Sequence, residues 1–137
     1  MRLRLEGDAG FLDKSIDPDP LPSWLTQDDV AVFAQAFKKN GFRGPFNWYR
    51  NIDRNWALLA PFQDAKVMPP ALFIAGERDA VIASPMGRGM LESLHQAVAN
   101  LRASVVIPEG GHWIQQEKPA EVNAALLSFL AKDYPSS

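Results

Sequence analysis

Two short apolar runs, Ala71 to Ala75 (ALFIA) and Ala103 to Ile107 (ASVVI), constrain this chain more than any other feature. A strand with one face in water alternates apolar and polar residues; these runs do not, and they read as parallel strands buried on both faces. Gly76, the polar turn GERD and a helical stretch from Pro85 to Val98 separate them. After the second run come the loop PEGGHW and a helix from about Pro119 to Ala131, with Pro119 in its first turn and Val122, Leu126, Phe129 and Leu130 on one face. The second half is therefore a β-α-β-α unit with parallel strands, of the α/β class. Average sheets hold about five or six strands, so this unit reads as the end of a larger sheet.

The first half is helical. Residues 1–23 carry Gly7, Gly10, Pro18, Pro20 and Pro22, and the DPDPLP stretch is excluded from a helix interior. A helix is expected to follow from Thr26 as N-cap, with Asp28 and Asp29 in its first turn, Lys38 and Lys39 in its last, and Gly41 beyond. Val30, Phe33 and Phe37 form its apolar face. A second helix is predicted over NWYRNIDRNWALL, with Trp48, Ile52 and Trp56 in one row and Pro61 marking its end. The expected division is a helical segment over residues 1–65 and an α/β segment over 66–137.

Composition excludes several function classes. With 47% hydrophobic and 22% charged residues the chain is balanced as a globular protein. A net charge of -2 leaves no basic footprint for nucleic acid. There is no cysteine, so thiol catalysis, disulfides and thiolate metal sites are absent. No run of about 18 apolar residues offers a membrane span. The N-terminal MRLRLEGDAGFLDKS has no continuous apolar stretch and is not expected to be a signal peptide. A cytoplasmic location is expected.

In open parallel sheets, catalytic groups gather beyond the carboxyl ends of the strands. Asp79 lies four residues after ALFIA, and His112 lies five residues after ASVVI. Adjacent strands would bring the two turns side by side. A carboxylate on one imidazole nitrogen fixes the tautomer, leaving the other nitrogen as general base. The order acid then histidine is also that of hydrolase triads whose nucleophile comes first in the chain. An aspartate in a glycine-containing turn serves turn hydrogen bonding equally well, and Glu77, two residues away, is an alternative carboxylate. His95, inside the predicted helix, reads as a solvated surface residue.

The stretches GFRGPFNWYRNIDRNW, PALFIAGERD and GGHWIQQEKPAEVNAALLSFL, in that order and spacing, resemble the epoxide-hydrolase branch of the α/β-hydrolases. They cover roughly residues 41–130, and FLDKSIDPDPLPSWLTQDD resembles the lid of that family more loosely. The resemblance implies the C-terminal part of an α/β-hydrolase fold: a partial helical lid over 1–65, then the last two β-α units of the core. It implies Asp79 as the acid that orients the histidine, and His112 as the base that activates water to hydrolyse an ester intermediate. It implies Tyr49 as one of two lid tyrosines that hydrogen-bond the epoxide oxygen; a phenol can donate to a developing alkoxide. Trp48 and Trp56 are assigned to packing in the lid. No cofactor or metal is implied.

The departures from the family pattern also carry expectations. The family's aspartate nucleophile sits in a G-x-D-x-G turn upstream of the lid, and no G-x-[SD]-x-G occurs in this sequence. The HGxP stretch and the first lid tyrosine are absent too, and Met1 falls inside the lid region. The reaction of the complete relative is hydrolysis of a small-molecule epoxide to a vicinal diol, and the chain alone is expected to be inactive. Haloalkane dehalogenation or ester hydrolysis is the enzymatic alternative; a truncated or partner subunit is the non-enzymatic one. Expected partners are an N-terminal half, or a second copy through an exposed sheet edge.

Overall fold

The computed structural model describes residues 17–134, so expectations for residues 1–16 lie outside it. Its contacts divide the described residues into two compact units, with the boundary between Pro45 and Phe46.

In the first unit, α1 spans Gln27–Asn40 and opens as its sequence dictates. The Thr26 hydroxyl accepts the Asp29 N–H at 3.1 Å, and the Thr26 N–H donates to Asp29 Oδ2 at 2.9 Å, a reciprocal cap. The Thr26 hydroxyl, which also donates to Asp29 Oδ2, and the Thr26 N–H together hold the Asp29 carboxyl below the ordinary carboxylate pKa. Gly41 ends the helix at φ 66°, where a side chain would be strained. The expected apolar face is present but not buried: Val30 and Phe33 are exposed. Phe37 instead stacks on Phe42, with ring centroids 4.6 Å apart.

The predicted single helix over residues 47–59 is two helices, α2 (Arg43–Arg50) and α3 (Ile52–Leu59), followed by a 3-10 turn over Ala60–Phe62. The interruption is Asn51, at φ -93° and ψ 3°. Its side-chain amide donates to the Asn47 carbonyl at 2.7 Å, the same oxygen that accepts the Asn51 backbone N–H at 3.2 Å. A short polar side chain that competes for helix carbonyls distorts the ladder in this way.

The second unit continues through β1 (Ala71–Gly76), the one-turn α4 (Ala80–Ala83), α5 (Pro85–Ala97), β2 (Leu101–Ile107), the short α6 (Ile114–Glu117) and α7 (Pro119–Asp133). The strands pair in parallel, from Ala71 opposite Leu101 to Gly76 opposite Ile107, with an irregularity after Ala71. β2 begins two residues earlier than the apolar run, because Leu101 pairs with Ala71 and Arg102 is the residue passed over at the irregularity before Ala103. An additional bridge joins Val67 and Val98 ahead of both strands.

The expectation of strands buried on both faces is corrected. Only Ala75, Gly76 and Ile107, at the carboxyl ends, are buried within the strands. Among the described residues α7 is the helix packed along both strands. Arg102 ties its end to β2 through a 2.7 Å ion pair with Asp133. Burial concentrates where the turns converge: Ala75, Ile82, Ile107 and Ile114 are the buried hydrophobic residues, all on segments adjoining Asp79 or His112.

Candidate active site

Asp79 terminates the β1 turn and caps α4. Its Oδ1 accepts the Val81 N–H at 2.8 Å, so the helix start fixes the carboxylate's direction. Its other oxygen, Oδ2, lies 2.9 Å from His112 Nδ1. The Asp79 side chain is only 12% exposed, whereas that of His112 is 62% exposed. Burial works to raise the Asp79 pKa, but hydrogen bonds from His112 and from the Val81 and Ile82 N–H groups, with the His112 charge, hold it below the ordinary value. Asp79 is therefore ionised at neutral pH and can only accept, which puts the imidazole proton on Nδ1. His112 Nε2 has no partner among the described residues. The turn-bonding role and the imidazole-orienting role of Asp79 are compatible: each oxygen performs one.

Glu77, the alternative carboxylate, faces elsewhere. Its Oε2 accepts the Glu109 N–H at 3.0 Å, and Glu109 sits at φ 59°, a conformation rarely used by residues with side chains. The Glu77 N–H donates to Ile107 and the Arg78 N–H to the Gly110 carbonyl, at 3.0 and 2.8 Å. Arg78 and Glu109 add an ion pair at 2.6 Å, both side chains exposed and of small energetic weight. These bonds stitch the turn after β1 to the turn after β2. The approach is close enough to require Gly76: a Cβ there would lie 2.3 Å from the carbonyl oxygens of Gly110 and Gly111.

The structure brings Asp79 and His112 together, and among the described residues no hydrogen bond joins Tyr49 to either. Tyr49 stands on α2 with 68% exposure, and its hydroxyl has no hydrogen-bond partner among the described residues. Trp48 and Trp56 are 79% and 82% exposed, without the packing expected of them. His95 lies in the last turn of α5. One residue escaped the sequence reading: Glu117, whose carboxylate accepts the Gly111 N–H at 2.6 Å and the Trp113 N–H at 3.0 Å. The signal was its place in GGHWIQQE, five residues after the histidine. Among the described residues no three metal-ligating side chains converge.

The alpha/beta hydrolase family model matches residues 2–125. The chain belongs to this family. Within it, the similarity is to epoxide hydrolases. Epoxide hydrolase A of Mycobacterium tuberculosis is 38% identical over 130 residues, covering 95% of this chain and 39% of that protein. Epoxide hydrolase 2 of Siraitia grosvenorii is 39% identical over 120 residues, covering 84% of this chain and 37% of that protein. The crystal structure of epoxide hydrolase A from Mycobacterium thermoresistibile superposes with a TM-score of 0.81 at 42% identity, covering 90% of this chain and 38% of that one. This α/β-hydrolase chain thus spans about two-fifths of the length of these relatives. Its helices and parallel strands are those of the C-terminal part of that fold.

Proposed function

We propose that this chain supplies the acid and the general base of an epoxide-hydrolysing α/β-hydrolase. The observation that carries the reading is the 2.9 Å contact between Asp79 Oδ2 and His112 Nδ1 at the ends of adjacent parallel strands. In the reaction, a carboxylate nucleophile outside these residues attacks an epoxide carbon, the C–O bond opens, and the alkoxide takes a proton from Tyr49. Water then gives a proton to His112 Nε2 and attacks the carbonyl of the resulting ester. The ester C–O bond breaks, and the carboxyl proton passes to the leaving alkoxide to give the diol and restore the carboxylate. The imidazolium proton returns to the Tyr49 phenolate. Asp79 stabilises that imidazolium. Tyr49 would reach the epoxide only where the lid is completed by further residues, which accords with its exposure here.

On this reading residues 1–65 are lid and 66–137 are core, with a cytoplasmic location supported by the lack of cysteine. The partner is a nucleophile-bearing N-terminal half; a second copy pairing through the exposed strand edge is the competing association.

The test is complementation. The 137-residue chain by itself should hydrolyse a styrene-type epoxide at the buffer rate, because a nucleophile, base and acid act as a unit. Mixed with the N-terminal half of the Mycobacterium thermoresistibile relative, it should turn over, and His112→Ala should abolish that turnover. A complex that forms and stays inactive would remove the reading.

A further inference from the structure

We infer that Glu117 is a positioning residue for His112: its carboxylate clamps the peptides on either side of the histidine and so holds Nδ1 on Asp79. The inference rests on the acid–base reading of that pair. α6 is a single turn, stopped at Lys118 by the proline that begins α7. Glu117, its last residue, reaches back over the loop. Its Oε2 takes the Gly111 N–H at 2.6 Å and its Oε1 takes the Trp113 N–H at 3.0 Å. Trp113 is the N-cap of α6 and has no side-chain cap of its own, so capping accounts for the second bond. It does not account for the first, which lies outside the helix on the far side of His112.

Gly111 admits the clamp. A Cβ at that position would lie 2.8 Å from both carboxylate oxygens, so any side chain would displace them. The loop is held from the other direction by the Arg78 N–H on the Gly110 carbonyl. His112 is therefore suspended between a bond to the Asp79 turn and two bonds to Glu117, while its own ring is mostly exposed and meets the Trp113 ring edge-on at 5.4 Å between centroids. Hydrogen bonds weaken steeply with misalignment, and the backbone on each side of His112 sets where Nδ1 meets Asp79.

The chemistry of the clamp needs two acceptors. A glutamine has one acceptor oxygen, and its NH2 would face one of the two N–H groups as donor against donor. Glu117→Gln should thus release one side of the clamp without changing volume.

The readout is the tautomer of His112, followed by ring 15N shifts in the 137-residue chain at a pH where the imidazole is neutral, with His95 as internal control. In the natural sequence the Nδ1–H form should predominate. Glu117→Gln should lower the Nδ1–H to Nε2–H ratio by about tenfold, the order expected for losing one hydrogen bond to a charged group, and leave His95 unchanged. Glu117→Asp, which keeps two acceptors, should recover part of the excess. Amide shifts of β1 and β2 report whether the fold is retained. Should Glu117→Gln lose it, Gly111→Ala, which displaces the carboxylate instead, is read for the same fall. A His112 tautomer ratio unchanged in a folded variant overturns the inference. Epoxide turnover does not enter this measurement, so loss of the functional reading and loss of the clamp are separate results.

Discussion

His112 Nδ1 and Asp79 Oδ2 lie 2.9 Å apart although 33 residues separate them in sequence. Each sits in the turn that follows one of two paired strands, and Gly76 opposite Ile107 is the last pair of the ladder before both turns. The carboxylate is nearly buried and the imidazole mostly open, so the acid is shielded while the ring it holds stays accessible. On the proposed reading, such an arrangement orients the base through Nδ1 and leaves Nε2 for water.

Replacing the acid tests this directly. Asp79→Asn should lower turnover of the complemented enzyme by roughly a hundred- to ten-thousandfold, because an amide can donate to Nδ1 and favour the wrong tautomer. Pre-steady-state kinetics should place the loss in ester hydrolysis, with ester formation little changed. An equal loss in both steps would count against His112 as the water-activating base.

Stability should depend on pH through the same group. Asp79 has a folded-state pKa below its unfolded value, so the native state binds fewer protons than the unfolded one in the acid range. Its contribution is complete above the unfolded carboxylate value, about 3.9, and is lost as pH falls through the lower folded value. Denaturant unfolding of the natural chain should therefore weaken below about pH 4, and the decline should be shallower in Asp79→Asn. Parallel curves would show that Asp79 is not linked to folding.

The two turns should be unequally tolerant of added volume. At Gly76 the obstruction is backbone, the carbonyls of Gly110 and Gly111, whereas at Gly110 it is the Cδ1 of Ile114. Gly76→Ala should cost about 2–4 kcal/mol and weaken the His112–Asp79 contact. Gly110→Ala should cost about 1–2 kcal/mol, since a side-chain end can move. Chemical denaturation of both variants gives the comparison, and equal costs would contradict it.

Tyr49 separates chemistry from stability. It is largely exposed on α2, so Tyr49→Phe should leave the melting curve of the chain within about 0.5 kcal/mol of the natural one. In the complemented enzyme the same change should slow epoxide opening by roughly ten- to a thousandfold, the range for losing one donor to a developing oxyanion. An unchanged rate would remove Tyr49 from the proposed site.

What the sequence determined by itself was local and periodic. Thr26, Asp29 and Gly41 announce α1 because a cap is satisfied within a few residues of its own position. ALFIA and ASVVI announce parallel strands by their lack of polar alternation, although among the described residues only their carboxyl ends are buried. The positions of Asp79 and His112 after those strands were legible for the same reason, as was their order. Tertiary structure decided what depends on distances through space. It chose Asp79 over Glu77 by turning Glu77 onto the Glu109 N–H, and it extended β2 to Leu101 by pairing with Ala71. It split the helix at Asn51, where a side chain competes for a carbonyl, and it left Val30 and Phe33 exposed on a face whose periodicity promised burial. Glu117 became visible only when its two oxygens were seen on the peptides beside His112. Periodicity tells a chain which way a side chain points, but which groups it meets is set by elements brought from elsewhere in the fold.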